Sequence, residues 1–220
     1  MVLFGSQAQG RADEFSDIDA YVILSKDDGR ERIFRRIHGV RVDILFDSIK
    51  SVTGYVKSEE GKFWRNVSHM LASGTILFFR SPKLLELQRR AKRNMKKKTR
   101  LERNEKLLHL YSIEDYWHKV QRDEKNRDVL AFQRNASHII NNAVELLLKE
   151  HGDYLPPARE LDAKLKQIDP TFRNRLHSFY KARDLQKQFA EIRMFVRYVT
   201  KCFGQVPDEW VVKKKTRTRR

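Results

Sequence analysis

Residues Leu3–Leu24 read LFGSQAQGRADEFSDIDAYVIL. An apolar run enters Gly5-Ser6, a glycine returns at Gly10, and Asp17 and Asp19 stand one residue apart at the mouth of a second apolar run. The second run has the texture of a strand, and residues two apart on a strand project from the same face. Like charges at that distance repel, so an uncompensated pair raises a pKa or destabilises the site. An acidic turn is the plain reading of such a pair. A divalent cation is the sharper one, since hard oxygen ligands suit magnesium or manganese.

Two further features bear on that choice. Asp43 lies in VRVDILF, an otherwise apolar strand where a charge is costly unless paired or metal-bound. If that strand lies beside DIDAYVIL, Asp43 joins the pair at its edge; Arg41 or another arginine is its alternative partner. Gly5-Ser6, at the end of a strand and opening a short helix, leaves backbone N–H groups and a hydroxyl for an anion. Gly10 lets the loop turn back closely. Phosphate donors opposite a carboxylate trio are the layout of phosphoryl or nucleotidyl transfer.

The surrounding chain divides into two textures. Up to Phe79, short β-type runs recur (MVLF, AYVIL, ERIFRRI, VRVDILF, TILFF), and RRIHGVRVDILF reads as a hairpin turning at His38-Gly39. Helices are expected near residues 48–57 and 62–72. This gives an α/β (α+β) domain with a small mixed sheet over residues 1–80. From Ser81-Pro82 onward only helical periods occur, so residues 81–212 are expected to form an all-α bundle, with 213–220 a basic disordered tail. Leu185, Phe189, Ile192, Val196, Val199 and Phe203 form a core-facing stripe at steps of four and three.

Composition bounds the rest. With 220 residues, 40% of them hydrophobic, the chain is long enough for a real core. No run approaches the roughly 18 apolar residues of a membrane helix, and the first residues read as a strand rather than a signal peptide. Cys202 is the single cysteine, read as a packing residue, and a cytoplasmic location is expected. Trp64, Trp117 and Trp210 are read as packing residues too. The net charge of +17 attracts polyanions, including nucleotides, RNA and acidic proteins. Eight of the twelve residues from Arg89 to Arg100 are basic, either a solvated helix face or a polyanion contact. No paired-cysteine or His-Glu-x-x-His pattern suggests zinc.

GSQAQGRADEFSDIDAYV followed by VRVDILF resembles the Gly-Ser, Asp-x-Asp, Asp signature of the DNA polymerase beta-like nucleotidyltransferase superfamily, above all its minimal and aminoglycoside-type members. The resemblance implies that Asp17, Asp19 and Asp43 ligate magnesium (or manganese) and that Gly5 and Ser6 hold the phosphates of a nucleoside triphosphate, ATP foremost. Gly10, Ser16 and Arg11 complete the expected nucleotide-binding set. Many members carry arginines after Gly-Ser, where this chain has Gln7 and Gln9, so Arg11 or the basic run has to serve the phosphates. Members also usually carry a helix before the first strand, and this chain starts inside that strand.

In the helical half, Arg134, His138, Asn141 and Glu145 fall on one polar stripe of DVLAFQRNASHIINNAVELLLKE, opposite an apolar face of Phe132, Ala136, Ile139, Ala143 and Leu147. The stripe is either a solvated face or a cleft wall. In aminoglycoside-type relatives a helical-domain glutamate activates the acceptor hydroxyl, and Glu145 is the candidate here, beside Asp43. The expected activity is transfer of a nucleoside monophosphate, most simply AMP, to a hydroxyl on a small molecule or a protein, with pyrophosphate released. The alternatives are nucleotide addition to an RNA 3′ end, an antitoxin-type enzyme modifying a partner protein, and a non-catalytic nucleotide- or RNA-binding module. None of these requires a membrane.

Overall fold

Apolar residues at every second position fix the strands, and a tight turn fixes their register. The computed structural model describes residues 1–26 and 29–211, in two compact units, Met1–Thr99 and Arg100 onward. In the first unit, β1 (Val2–Phe4) runs into a single helical turn, α1 (Gly5–Ala8). β2 (Ile18–Leu24), β3 (Glu31–Ile37) and β4 (Val40–Ser48) follow, then α2 (Ile49–Ser58), α3 (Asn66–Ser73), β5 (Thr75–Ile76) and α4 (Lys83–Met95). The five strands among the described residues form one mixed sheet in the order β3-β4-β2-β1-β5, with β2 and β4 parallel and the other neighbours antiparallel.

The expected hairpin is present. His38 and Gly39 take positive φ values of 47° and 84°, the left-handed pair that joins strands through a two-residue turn. Ile37 therefore opposes Val40, and every later pair follows from it. The two expected helices also form, although the second begins at Asn66 rather than near residue 62. Of TILFF, only Thr75 and Ile76 form a strand, and Leu77, Phe78 and Phe79 are exposed.

The core of this unit joins Val2 and Tyr21 of the sheet to Val52, Val56, Val67 and Leu71 of α2 and α3. Leu84, Leu87 and Ala91 of α4 belong to the same core. The helix after Ser81-Pro82 therefore completes the α/β unit, which runs to Thr99 rather than stopping at residue 80. Two buried polar side chains fasten it. Asn94 donates to the Val56 carbonyl (3.1 Å) and to Ser68 Oγ (2.8 Å), and Arg65 donates to the Asn94 carbonyl (2.7 Å) and Thr99 Oγ1 (2.9 Å). Satisfied in this way, a buried guanidinium is tolerated; left unpaired it would be costly.

The described residues of the second unit form helices without strands: α5 (Arg103–Lys125), α6 (Val129–Glu150), α7 (Ala158–Ile168), α8 (Pro170–Lys181) and α9 (Leu185–Phe203). Asp128, Asp169 and Asp184 cap α6, α8 and α9 by accepting the backbone N–H three residues on. Phe132, Ala136, Ile139, Ala143 and Leu147 are buried as their spacing predicts, and so are Ile192, Val196 and Val199. Cys202 is exposed, contrary to expectation: the buried seam of α9 ends at Val199, before the helix reaches its Gly204 cap. Trp64 is 56% exposed as well, because its neighbour Phe63 takes the buried position. The expected basic tail at 213–220 lies outside the described residues.

Candidate active site

The sheet register assembles the acidic residues. β2 and β4 run parallel with Asp19 opposite Asp43. Directly opposed residues share a face of the sheet. Phe4 is the partner of Asp19 on β1, and Phe34 is the partner of Asp43 on β3. One transverse row thus reads Phe4, Asp19, Asp43, Phe34, across four strands. Asp17, two residues before Asp19, lies on the same face, and its carboxylate is 3.7 Å from the Arg41 guanidinium.

Asp19 is the strained member of the set. Partial burial, and then the neighbouring charges of Asp17 and Asp43, push its pKa up to about 6 against the attraction of Arg32 and Arg41. Asp43 is buried and shifts the other way. Arg32 grips it with a two-pronged guanidinium, Nε to Oδ1 at 2.8 Å and Nη2 to Oδ2, and holds its carboxyl below the usual carboxylate range despite the burial. Further along the same face, buried Asp47 accepts the Tyr21 hydroxyl at 2.8 Å, and burial with this bond raises the Tyr21 pKa.

Gly5 brings the loop to the carboxylates. It has φ of +74°, and a Cβ built there would stand 2.7 Å from Asp19 Oδ2, inside any tolerable contact. Both facts demand glycine. The loop then closes on Ser6, whose carbonyl accepts from the N–H of Arg11 at 3.0 Å, with Gly10 between them at φ +65°. The Arg11 guanidinium donates to Gln9 Oε1. Ser16 is spent on the loop itself: its hydroxyl donates to Asp13 Oδ1 at 2.8 Å and accepts the Asp13 N–H at 2.9 Å.

The site residues expected from the sequence thus divide. Gly5, Asp19 and Asp43 are brought together, and Asp17 stands at their edge. Among the described residues, however, no three His, Cys, Asp or Glu side chains gather closely enough to hold a metal ion. Asp43 and Asp17 are instead paired with Arg32 and Arg41. The donor set is nevertheless one that magnesium takes, hard carboxylate oxygens in mutual repulsion at Asp19. Arg32 and Phe34 are the residues that sequence reading passed over. The signal was present, since alternation through ERIFRRI places Arg32, Phe34 and Arg36 on one face.

Glu145, in the helical unit, is a partner in an internal network. Its Oε2 accepts from Lys149 Nζ at 3.0 Å and lies 3.9 Å from His109 Nε2. The buried Lys149 also donates to Glu105 at 2.8 Å, and His109 Nδ1 is 3.0 Å from Asn142 Oδ1, so these side chains tie α5 to α6. Nearby on the polar stripe, His138 stacks on Tyr116, ring centroids 4.4 Å apart.

A search of curated proteins returns no match. Among solved structures, a nucleotidyltransferase-like protein from Exiguobacterium sibiricum is similar over 84% of this chain at 12% identity, with a TM-score of 0.48; the chain spans 62% of that protein. The model of the nucleotidyltransferase domain matches residues 1–196, across both units, and the chain belongs to that family.

Proposed function

We propose that this protein is a magnesium-dependent nucleotidyltransferase that moves a nucleoside monophosphate, AMP foremost, from a nucleoside triphosphate to an acceptor hydroxyl. One observation carries the reading: Asp19 and Asp43 stand opposite each other on adjacent strands, with the Gly5 backbone against the Asp19 carboxylate. That is a pair of acidic ligands with a backbone approach for phosphates at one end.

In this reading Asp17, Asp19 and Asp43 hold the ion, and Gly5 and Ser6 receive the triphosphate, with Arg11 beside them. Bound magnesium supplies charge neutralisation for the triphosphate and the developing transition state. Asp43 and Asp17, paired with Arg32 and Arg41 in this structure, would serve as ligands of the ion, and the two guanidiniums would then be available to anions. The acceptor oxygen forms a bond to the α-phosphorus while the bond from that phosphorus to the bridging oxygen breaks and pyrophosphate leaves. The hydroxyl proton passes to the Asp43 carboxylate. Glu145, already engaged by Lys149, serves the helical unit rather than the proton transfer; an unchanged kcat in Glu145→Gln supports this assignment, and a large loss returns the role of base to Glu145.

The deciding experiment measures pyrophosphate release from labelled ATP, CTP, GTP and UTP with magnesium and cell extract, for wild type, Asp17→Asn and Asp19→Asn. Both variants are expected to lose turnover while remaining folded. Full activity in both overturns the mechanism. A second readout avoids the acceptor altogether: magnesium raises the Tm of the wild type by binding the native state, and does so less in Asp19→Asn.

A further inference from the structure

We propose that Phe34, with Arg36 beside it, is the platform on which a single-stranded polynucleotide acceptor is seated. The inference rests on the nucleotidyl-transfer reading of the Asp19–Asp43 row and names its acceptor class. The row has a direction. Gly5 approaches it at the β1 end, beside Asp19, so the triphosphate and its departing pyrophosphate belong there. In-line displacement brings the acceptor from the opposite side. Across the row, that side is the β3 edge, and the residue standing there next to Asp43 is Phe34.

Phe34 is 61% exposed, a bare aromatic ring on a solvent-facing edge strand. It makes no contribution to the core of its unit. Two residues away on either side, and so on the same face, are Arg32 and Arg36. Arg32 is already committed to Asp43. Arg36 lies directly opposite Arg41, and like charges in that position repel. Arg41 is offset by Asp17, whereas Arg36 has no ion pair or hydrogen bond among the described residues. A phosphate near Arg36 and Arg41 removes the repulsion.

An aromatic face with cations alongside it matches one chemistry well: a base stacked on the ring and its backbone phosphate held by arginine. The net charge of +17 draws polyanions toward the surface. A cationic small acceptor would meet the same arginines as repulsion. An acidic protein would be drawn by the field but would leave the exposed ring unused.

The test uses fluorescence anisotropy with a labelled single-stranded RNA of about 12 nucleotides bearing a free 3′ hydroxyl, and a DNA strand of the same sequence. Wild type is expected to bind at least one of them, more weakly as salt rises. Phe34→Ala weakens that binding about 5- to 150-fold, the range for loss of one stacked base, while Phe34→Trp retains it. Arg36→Gln lowers the slope of log affinity against log salt by about 0.7. Equal Tm values across the variants show that the exposed positions leave the fold intact. The proposal is overturned if neither strand binds, if Phe34→Ala binds as tightly as wild type, or if Phe34→Ala alters only the KM for the nucleoside triphosphate. A strand that binds through Phe34 yet receives no label, while pyrophosphate is released with another acceptor, overturns the strand as acceptor; no release with any acceptor overturns nucleotidyl transfer and leaves the stacking face standing.

Discussion

At the scale of single residues, the candidate site is a balance of charges in which Asp19 carries the cost. Its raised pKa, about 6, means that the native state retains a proton which the unfolded chain has already released between pH 4 and 6. Stability from this group therefore rises as pH falls through 6 toward 4, and is lost as pH rises through 6. With divalent cations removed, Asp19→Asn is expected to stabilise the protein at pH 7.5 by about 1–2 kcal/mol, after allowance for solvent screening of a half-buried group. The gain should vanish near pH 4, where the wild-type carboxyl is protonated in the native state. Denaturant melts at the two pH values measure it; a variant less stable than wild type at pH 7.5 would contradict the charge balance. Gly5 gives the opposite outcome. Gly5→Ala forces a Cβ toward Asp19 Oδ2 at a positive φ, and a loss of about 1–3 kcal/mol is expected, read as a lower Tm together with lost nucleotide turnover.

At the scale of elements, most of the site was legible because strands are read in steps of two. DIDAYVIL and VRVDILF each declare a face by alternation, and the proximity of Asp19 to Asp43 needed only that the strands be neighbours. The partner of Asp43 was legible in principle. Once His38-Gly39 is taken as a two-residue turn, Ile37 pairs with Val40, Phe34 falls opposite Asp43, and Arg32 comes within its reach. What could not be read was how three carboxylates share two arginines, since that depends on side-chain reach rather than on pattern. Glu145 was illegible for a related reason. Helical spacing finds its face and its neighbour Lys149 four residues on, but says nothing of Glu105 and His109 on another helix. Such a network, once satisfied, is costly to break in part. Lys149→Met is expected to lower the stability of the helical unit by about 1–3 kcal/mol, since Glu105 and Glu145, both partly exposed, lose the cation between them. A Tm equal to wild type would show that the network is ornamental.

At the scale of the whole molecule, the division of the chain was the least legible feature. Helical periodicity marks α4 as amphipathic but not the core it joins, and the helix start at Ser81-Pro82 reads as the opening of the helical half. Its Leu84, Leu87, Ala91 and Asn94 in fact complete the α/β unit. Leu87→Ala is expected to destabilise that unit by about 2–5 kcal/mol. Hydrogen exchange should show faster exchange in β1, β2 and α3 with α6 and α9 unchanged; accelerated exchange confined to the helical unit would refute this division. The sheet order has a consequence in time as well. β1 lies between β2 and β5, so one of its edges finds its partner only when Thr75 and Ile76 have emerged. At the ribosome's pace of about 5–20 residues per second, that edge stays open for roughly 4–15 s on every nascent chain. Throughout that interval the polypeptide holds an unclosed sheet beside the charged row of Asp19 and Asp43. Yield from the ribosome should therefore respond to translation speed and to chaperones that shield open strand edges.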